Sequence, residues 1–169
     1  MQKITPFLWF DDQTEEAIKF YIEVFNGNPN KKQESKVISL QRYEKGMDVP
    51  GGDSNEGKVL TAIFELEGQR YMALDGGPVF KFTAAISFYV ETADQTETDY
   101  FWEKLSAVPE AEQCGWLQDK YGLSWQIIPK RMGELLGDPD RTKALACTNA
   151  MLKMHKIDIA ELEKAFAGK

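Results

Sequence analysis

The sequence predicts an α+β fold that contains two copies of one strand–helix unit. The tetrapeptide Asp-Gln-Thr-Glu occurs at residues 12–15 and again at residues 94–97. Each copy follows a strand-like run, residues 7–10 in the first case and residues 86–90 in the second, and opens a helical pattern. A repeat of this kind indicates a duplicated supersecondary unit, although Asp-x-x-Glu alone is also a common helix-capping sequence. Folds with two copies commonly hold their site between the copies, so we expect a cleft there.

Composition and charge restrict the kind of partner. The chain has 169 residues, of which 43% are hydrophobic and 12% aromatic, so we expect a compact fold with a real core. A net charge of −7 disfavours binding to a phosphate backbone, and we expect no nucleic-acid partner. No apolar run approaches the roughly 20 residues that cross a bilayer, so we expect no membrane partner. Cys114 and Cys147 give no disulfide framework, and the N-terminus lacks a signal-like apolar segment, which together favour the cytoplasm.

The first unit begins with a strand and a helix. Residues 3–10 alternate imperfectly and are rich in aromatic side chains, which predicts a strand with two usable faces. Asp12, with Glu15 three residues later, predicts the N-cap of a helix that runs to about Phe25. The helical positions that we expect to be buried are Ala17, Ile18, Tyr21, Val24 and Phe25.

Three further strands complete the first unit. Residues 35–43 and 58–67 have strand patterns, and a long polar loop at residues 45–57 separates them. A tight turn leads to a last strand at residues 70–74, which stops at the Asp-Gly-Gly-Pro sequence of residues 75–78. The first unit is therefore predicted to have one helix and four strands.

The second unit repeats this order in a shortened form. Residues 84–91 predict its first strand, and Asp94 predicts the N-cap of a helix at residues 95–106. Residues 115–118 and 123–129 predict two short strands. The segment that follows the helix is about half as long as in the first unit, so we expect the second unit to lack roughly a hairpin.

The remaining sequence predicts a helical tail. We assign residues 1–132 to a single domain, made of one repeat at residues 3–78 and a second at residues 84–130. Residues 133–169 form a C-terminal helical extension, which we expect to pack on the domain or on a second subunit.

Two capping sequences lie in this extension. Asp138 precedes Pro139, which suits the first position of a helix. Asp158, followed three residues later by Glu161, predicts the N-cap of a final short helix.

Seven stretches carry a resemblance to a known family, and the resemblance extends over nearly the whole chain. They are residues 5–10, 16–21, 73–78, 115–122, 125–129, 150–154 and 156–159. These stretches resemble the vicinal oxygen chelate superfamily, which includes glyoxalases and bleomycin-resistance proteins, and more narrowly its bacterial subgroup of 3-demethylubiquinone-9 3-methyltransferase-like proteins. The resemblance implies two βαβββ-type repeats, the second one shortened here, whose curved mixed sheets surround a cleft. It also implies a homodimer.

The resemblance further implies where a metal ion would bind, and the sequence departs from that pattern. Metal-dependent members place mainly His and Glu ligands on the first and last strand of each repeat. The matching positions here are Thr5 (or Pro6), Met72, Ala85 and Gln126. A catalytic divalent ion needs about three imidazole, thiolate or carboxylate ligands. Since none of these side chains supplies one, we expect no metal and no other cofactor.

The name of the subgroup implies methyl transfer, but the corresponding nucleotide-binding turn is absent from the sequence. A glycine-rich turn of that kind follows an early strand and opens a helix. Residues 10–13, Phe-Asp-Asp-Gln, occupy this junction and contain no glycine. We therefore rank a methyltransferase below the other functions.

Strand alternation selects the side chains that would face a cleft. In the first strand Leu8 and Phe10 share one face, and Phe7 and Trp9 share the other. The side chains that we expect to bind a small ligand are Thr5, Phe7, Trp9, Met72, Leu74, Asp75, Ser87, Tyr89 and Gln126. An aromatic wall with a few hydroxyl and amide groups suits a small, partly apolar molecule. Aromatics of this kind equally suit a packed core, and an Asp before Gly-Gly more often stabilises its own turn.

Two functions from different classes follow, and whether the protein is an enzyme stays open. The first is a metal-free homodimer that sequesters a small, partly apolar molecule, which requires no catalytic residue. The second is a lyase- or dioxygenase-like enzyme whose divalent ion is held mainly by substrate, water and Gln126.

Overall fold

The computed structural model of the protein describes residues 3–49 and 52–168. The described residues do not include residues 50 and 51 of the predicted polar loop, residues 1 and 2 of the predicted domain, or residue 169 of the predicted tail. The described residues contain five α-helices and seven β-strands, and the strands form two sheets. The predicted α+β class is therefore confirmed. None of the helices in the described part of the chain is long and apolar enough to cross a membrane.

The described residues form two compact units. Unit 1 contains the described residues up to Gly27 together with Lys31–Phe82. Unit 2 contains Asn28–Asn30 together with the described residues from Thr83 onward.

Unit 1 is a four-stranded mixed sheet with one helix. Its elements are β1 (Phe7–Phe10), α1 (Thr14–Asn26), β2 (Lys36–Arg42), β3 (Val59–Leu66) and β4 (Gln69–Asp75). The strand order is β1-β4-β3-β2, in which β1 and β4 are parallel and the other pairs are antiparallel. This is the βαβββ arrangement that was expected. β1 is shorter than predicted, because Pro6 has no N–H group to contribute to the ladder.

Helix α1 covers one face of this sheet. The five positions that were predicted to be buried in α1 are all buried, which confirms the helical pattern. The helix packs mainly on β3, whose inward-facing residues Ala62 and Phe64 are both 0% exposed. The opposite face of the sheet carries Thr61 and Ile63, which are only half-buried. Unit 1 therefore has one closed face and one open face.

Unit 2 begins with a shorter version of the same order. Its first elements are β5 (Ser87–Thr92), α2 (Gln95–Leu105), β6 (Trp116–Gln118) and β7 (Ser124–Pro129). The strand order is β5-β7-β6, and β5 and β7 are parallel. The expected shortening is present, but only one strand is missing rather than a hairpin. The counterpart of β2 is replaced by a connection that contains a single 3₁₀ turn, Pro109–Ala111.

Three tail helices complete unit 2. They are α3 (Lys130–Leu136), α4 (Arg141–Met151) and α5 (Ile159–Phe166). These helices share one buried cluster with the end of β7, which consists of Ile128, Leu135, Cys147, Ile157 and Leu162.

The tail helices use their capping sequences differently from one another. Asp158 accepts a 3.0 Å hydrogen bond from the backbone N–H of Glu161, as predicted for α5. The predicted cap at Asp138 is wrong, because α4 begins later and the side chain of Asp140 accepts from Thr142 and Lys143. Asp138 instead accepts a 2.8 Å bond from the N–H of Asp140.

Candidate ligand-binding site

The open face of unit 1 presents an apolar patch formed by β1 and β4. Leu8 and Phe10 are buried, whereas Phe7 is 49% exposed and Trp9 is half-buried, so the predicted alternation of β1 is correct. The parallel register places Phe7 beside Met72 and Trp9 beside Leu74. Four of the candidate residues are therefore brought together. Thr5 lies just before the strand and is half-buried.

Asp75 ends β4, and its carboxylate is engaged by the backbone. One carboxylate oxygen accepts a 2.9 Å hydrogen bond from the N–H of Thr14 at the start of α1. The other accepts a 2.9 Å bond from the N–H of Val59 at the start of β3. The residue is only 6% exposed. The carboxylate therefore joins the start of a helix to the start of a strand, and the role of Asp75 in ligand binding stays a prediction.

Trp9 is held rigidly by the segment that follows β4. Its indole N–H donates a 2.8 Å hydrogen bond to the carbonyl of Gly77. The ring of Phe80 meets the Trp9 ring edge-on, with centroids 5.0 Å apart. A Cβ atom at Gly76 would collide with the Trp9 ring, so only glycine permits this approach. The indole is therefore fixed in position, which favours a preorganised surface.

A cavity of about 560 Å³ lies at the edge of the unit 1 sheet where β1 and β4 end and β3 begins. Its apolar walls are Trp9 and Leu74 from the strands, and Pro78 and Val79 from the following segment. Cavities that hold small organic ligands fall in the same range, roughly 300–1,000 Å³, and are lined mainly by apolar groups.

Besides Asp75, Gly76 and Gly77, four residues with polar side chains line the cavity and form its rim. They are Asp11, Tyr43, Asn55 and Lys58. Backbone hydrogen bonds of 3.0 Å from Tyr43 N–H to the Lys58 carbonyl, and from Gly57 N–H to the Tyr43 carbonyl, hold the ends of β2 and β3 together. The Tyr43 hydroxyl donates a 3.2 Å bond to the carbonyl of Asp75.

Sequence reasoning did not select these rim residues. A usable signal exists, because Asp11 directly follows β1, Tyr43 directly follows β2, and Lys58 directly precedes β3. In a sheet with this strand order, those three ends and the end of β4 meet at one edge. The strand-end positions, rather than the alternating positions, would have identified the polar rim.

The three candidates of the second repeat form a constellation of their own within unit 2. Tyr89 lies beside Gln126 in the β5–β7 register. The Gln126 amide donates a 2.8 Å hydrogen bond to the Ser87 hydroxyl. Tyr89 is 57% exposed, and desolvation, together with the charge of Glu91, raises the pKa of its phenol.

The donor set does not fit a divalent cation at the positions implied by the resemblance. Thr5 precedes β1, Met72 lies in β4, Ala85 lies in a turn before β5, and Gln126 lies in β7. These residues offer no imidazole, thiolate or carboxylate, which such an ion requires. Among the residues that the structure describes, no three His, Cys, Asp or Glu side chains form a group that could hold a metal ion.

Comparison with known proteins identifies the family. The sequence profile of the 3-demethylubiquinone-9 3-methyltransferase family matches residues 2–128. A solved structure of a PhnB protein from Bacillus cereus is 36% identical, with a TM-score of 0.59 over 76% of this chain and 99% of its own. A solved structure from Pseudomonas aeruginosa, 16% identical, shares the fold alone, with a TM-score of 0.57 over 76% of this chain and 98% of its own. No curated protein matches the chain. The chain therefore belongs to the 3-demethylubiquinone-9 3-methyltransferase family, whose PhnB-like members have this glyoxalase-like fold.

Proposed function

We propose that this protein binds a small, partly apolar organic molecule in the cavity of unit 1 and carries out no chemical step on it. The cavity itself is the observation on which the proposal depends. Its volume of about 560 Å³ suits a small ligand, and Trp9 and Leu74 provide an apolar wall. Sequestration by a member of the glyoxalase and bleomycin-resistance superfamily requires burial and shape complementarity but no catalytic group.

The rigidity of the wall supports the proposal. Binding is weakened when flexible side chains must be ordered, so a surface that is already fixed retains more of the contact energy. Trp9 is fixed on three sides by the Gly77 carbonyl, Gly76 and Phe80. The cavity would therefore bind an apolar ring without first ordering its largest side chain.

A thermal-shift screen of metabolites and antibiotics tests this function. A ligand that binds only the folded state raises the unfolding temperature by mass action. For any molecule that does so, titration calorimetry should show about fivefold weaker binding to Trp9→Phe, because that variant loses the bond to Gly77 and part of the wall. Trp116→Phe, a change on the half-buried Trp116 of β6, is the matched control and should bind normally. Equal affinities in both variants for every hit, or a screen without hits, would refute the proposal.

The enzyme alternative depends on Gln126, which the resemblance places at a ligand position. Its amide nitrogen donates to the Ser87 hydroxyl, a bond that does not use the amide oxygen. Metal analysis of protein purified without chelator distinguishes the two functions, since stoichiometric iron, zinc, nickel or manganese would favour the enzyme. For the methyltransferase, calorimetry with S-adenosylmethionine should show micromolar binding if that activity is present.

We further propose that the chain is a cytoplasmic homodimer in which residues 1–132 form one domain and residues 133–169 an extension. The edge strand β2 leaves Val37 and Ile38 more than 40% exposed, which supports pairing with a second copy. Light scattering after size-exclusion chromatography should give twice the 19.2 kDa mass of one chain. The mass of a single chain would contradict the dimer.

A further inference from the structure

We infer that the cavity of unit 1 selects amphoteric molecules, which carry an ammonium and a carboxylate group on a small apolar body. The inference rests on the proposed function, because it names the class of ligand that the same cavity accepts. It follows from the state of two charged side chains on the rim, Lys58 and Asp11.

Lys58 supplies a cation that has no ion-pair partner among the described residues. Its backbone N–H donates a 3.0 Å hydrogen bond to the carbonyl of Asn55, and its own carbonyl accepts one from Tyr43. The backbone beneath the side chain is therefore fixed at the start of β3. Among the described residues, no carboxylate lies within ion-pair distance of the Lys58 ammonium.

Asp11 supplies the corresponding anion. Its carbonyl accepts a 3.0 Å hydrogen bond from the N–H of Gly77, which fixes the backbone at the end of β1. Its carboxylate has no hydrogen-bond or ion-pair partner among the described residues. Asp75, the other acidic residue of the lining, has both carboxylate oxygens engaged by backbone N–H groups. Asp11 is therefore the lining carboxylate that remains available to a ligand.

The two rim charges disfavour simpler ligands on energetic grounds. A neutral molecule would take water away from both charges without replacing it, which costs free energy. A ligand with one charge would pair with one rim group and face the other as a like charge, which disfavours it. A molecule that carries both charges satisfies both groups, while its apolar part lies on Trp9 and Leu74. The cavity thus matches a molecule of the amino-acid type.

Four probes with the same phenyl body separate the possibilities. L-phenylalanine carries both charges, N-acetylphenylalanine only the carboxylate, phenylalaninamide only the ammonium, and N-acetylphenylalaninamide neither. Calorimetry should give L-phenylalanine an affinity about tenfold higher than that of either singly charged probe, which is the usual contribution of one charge-assisted hydrogen bond. The neutral probe should bind most weakly.

Two variants assign each charge to its partner. Lys58→Met should weaken L-phenylalanine and N-acetylphenylalanine about tenfold and should not weaken phenylalaninamide, whose ammonium loses a like charge. Asp11→Asn should weaken L-phenylalanine and phenylalaninamide by a similar factor and should not weaken N-acetylphenylalanine, whose carboxylate loses a like charge. Lys36→Met and Asp12→Asn change exposed residues that do not line the cavity, and both should bind all probes normally.

The outcomes distinguish this inference from the proposed function. Similar affinities for all four probes would overturn the amphoteric class and leave binding by the cavity intact. No binding by any probe would also overturn the class, and the metabolite screen with Trp9→Phe would then decide the proposed function by itself. Loss of affinity in the control variants as large as in Lys58→Met or Asp11→Asn would equally refute the assigned roles.

Discussion

The two copies of Asp-Gln-Thr-Glu begin helices in different ways. In unit 2 the copy caps its own helix, because Asp94 accepts a 2.9 Å hydrogen bond from the N–H of Glu97. In unit 1 helix α1 begins at the third residue of the tetrapeptide, whereas α2 begins at the second. The N-cap residue of α1, Gln13, makes no side-chain capping bond. The predicted cap at Asp12 is therefore wrong. The missing carboxylate comes from Asp75, 61 residues along the chain.

Strand register explains the difference. In unit 1 Phe10 pairs with Asp75 in the parallel ladder, and in unit 2 Thr92 pairs with Pro129. The tetrapeptide of unit 1 begins two residues after Phe10, and that of unit 2 begins two residues after Thr92. Asp75 and Pro129 therefore occupy equivalent positions in the two units. Proline has no carboxylate to offer the helix. A capping sequence thus predicts that a helix begins, whereas the neighbouring strand decides which carboxylate accepts its N–H groups.

Among the variants that test this comparison, the one without the Asp75 carboxylate should lose the most stability. Asp75→Ala leaves two buried backbone N–H groups without a partner, which should lower the free energy of unfolding by about 3 kcal/mol. Urea unfolding followed by circular dichroism measures the change. Asp12→Ala removes an exposed side chain and should stay within about 0.5 kcal/mol of the parent protein. Equal losses in the two variants would mean that Asp12 also caps α1.

The second-largest difference in stability is expected between variants of the two glutamates, Glu97 and Glu15. Glu97 is 6% exposed, and its carboxylate accepts bonds of 2.7 Å from Asn28 and 2.6 Å from the N–H of Ala93. Glu97→Ala should therefore cost about 2 kcal/mol of stability, because those donors lose their acceptor. Glu15→Ala breaks ion pairs with Lys19 and Arg42, all of them partly solvated, and should cost less than about 1 kcal/mol. Chemical denaturation of both variants in one buffer gives the comparison, and a reversed order would contradict it.

A smaller loss is expected at the local cap of unit 2. Asp94→Ala removes one accepting side chain at the solvent-accessible start of α2, and such caps contribute about 1 kcal/mol. Asp94→Asn should recover most of that loss, since an amide oxygen also accepts from the backbone. Thermal unfolding of the three proteins would show the ranking. A loss in Asp94→Ala as large as in Asp75→Ala would remove the distinction between a local and a distant cap.

Local patterns account for much of the fold. Alternation in β1 predicted which face carries Leu8 and which carries Trp9, and helical spacing predicted the buried stripe of α1, because side-chain direction follows from backbone geometry alone. The missing strand of unit 2 was visible as a shorter segment after α2. The strands that remain after α2 were both predicted, at residues 115–118 and 123–129, but segment length overestimated the loss as roughly a hairpin, because length does not show that a single strand is replaced by the connection around Pro109–Ala111.

Long-range neighbours account for what the sequence did not predict. Asp75 meets Thr14 only after β4 has paired with β1, and no local pattern records that pairing. Tyr43 and Lys58 become neighbours only when β2 and β3 pair across the polar loop. Trp9 and Leu74 of the cavity wall were therefore predictable from alternation, whereas the charged rim could be found only from the strand order together with the strand ends.

The smallest expected effect is on the pH dependence of stability. It distinguishes the solvated Glu15 from the buried Glu97. Hydrogen bonds from Lys19 and Arg42 lower the pKa of Glu15 below its ordinary value of 4.5. Because the folded state lowers this pKa, the contribution to stability is complete above the unfolded value and is lost as the pH falls through the folded value. Urea unfolding between pH 7 and pH 3 should therefore show a slightly steeper loss in the parent protein than in Glu15→Gln. At about 1 M salt the difference should vanish, because exposed ion pairs are screened, and a difference that persists there would mean that Glu15 acts through a desolvated contact, as Glu97 does.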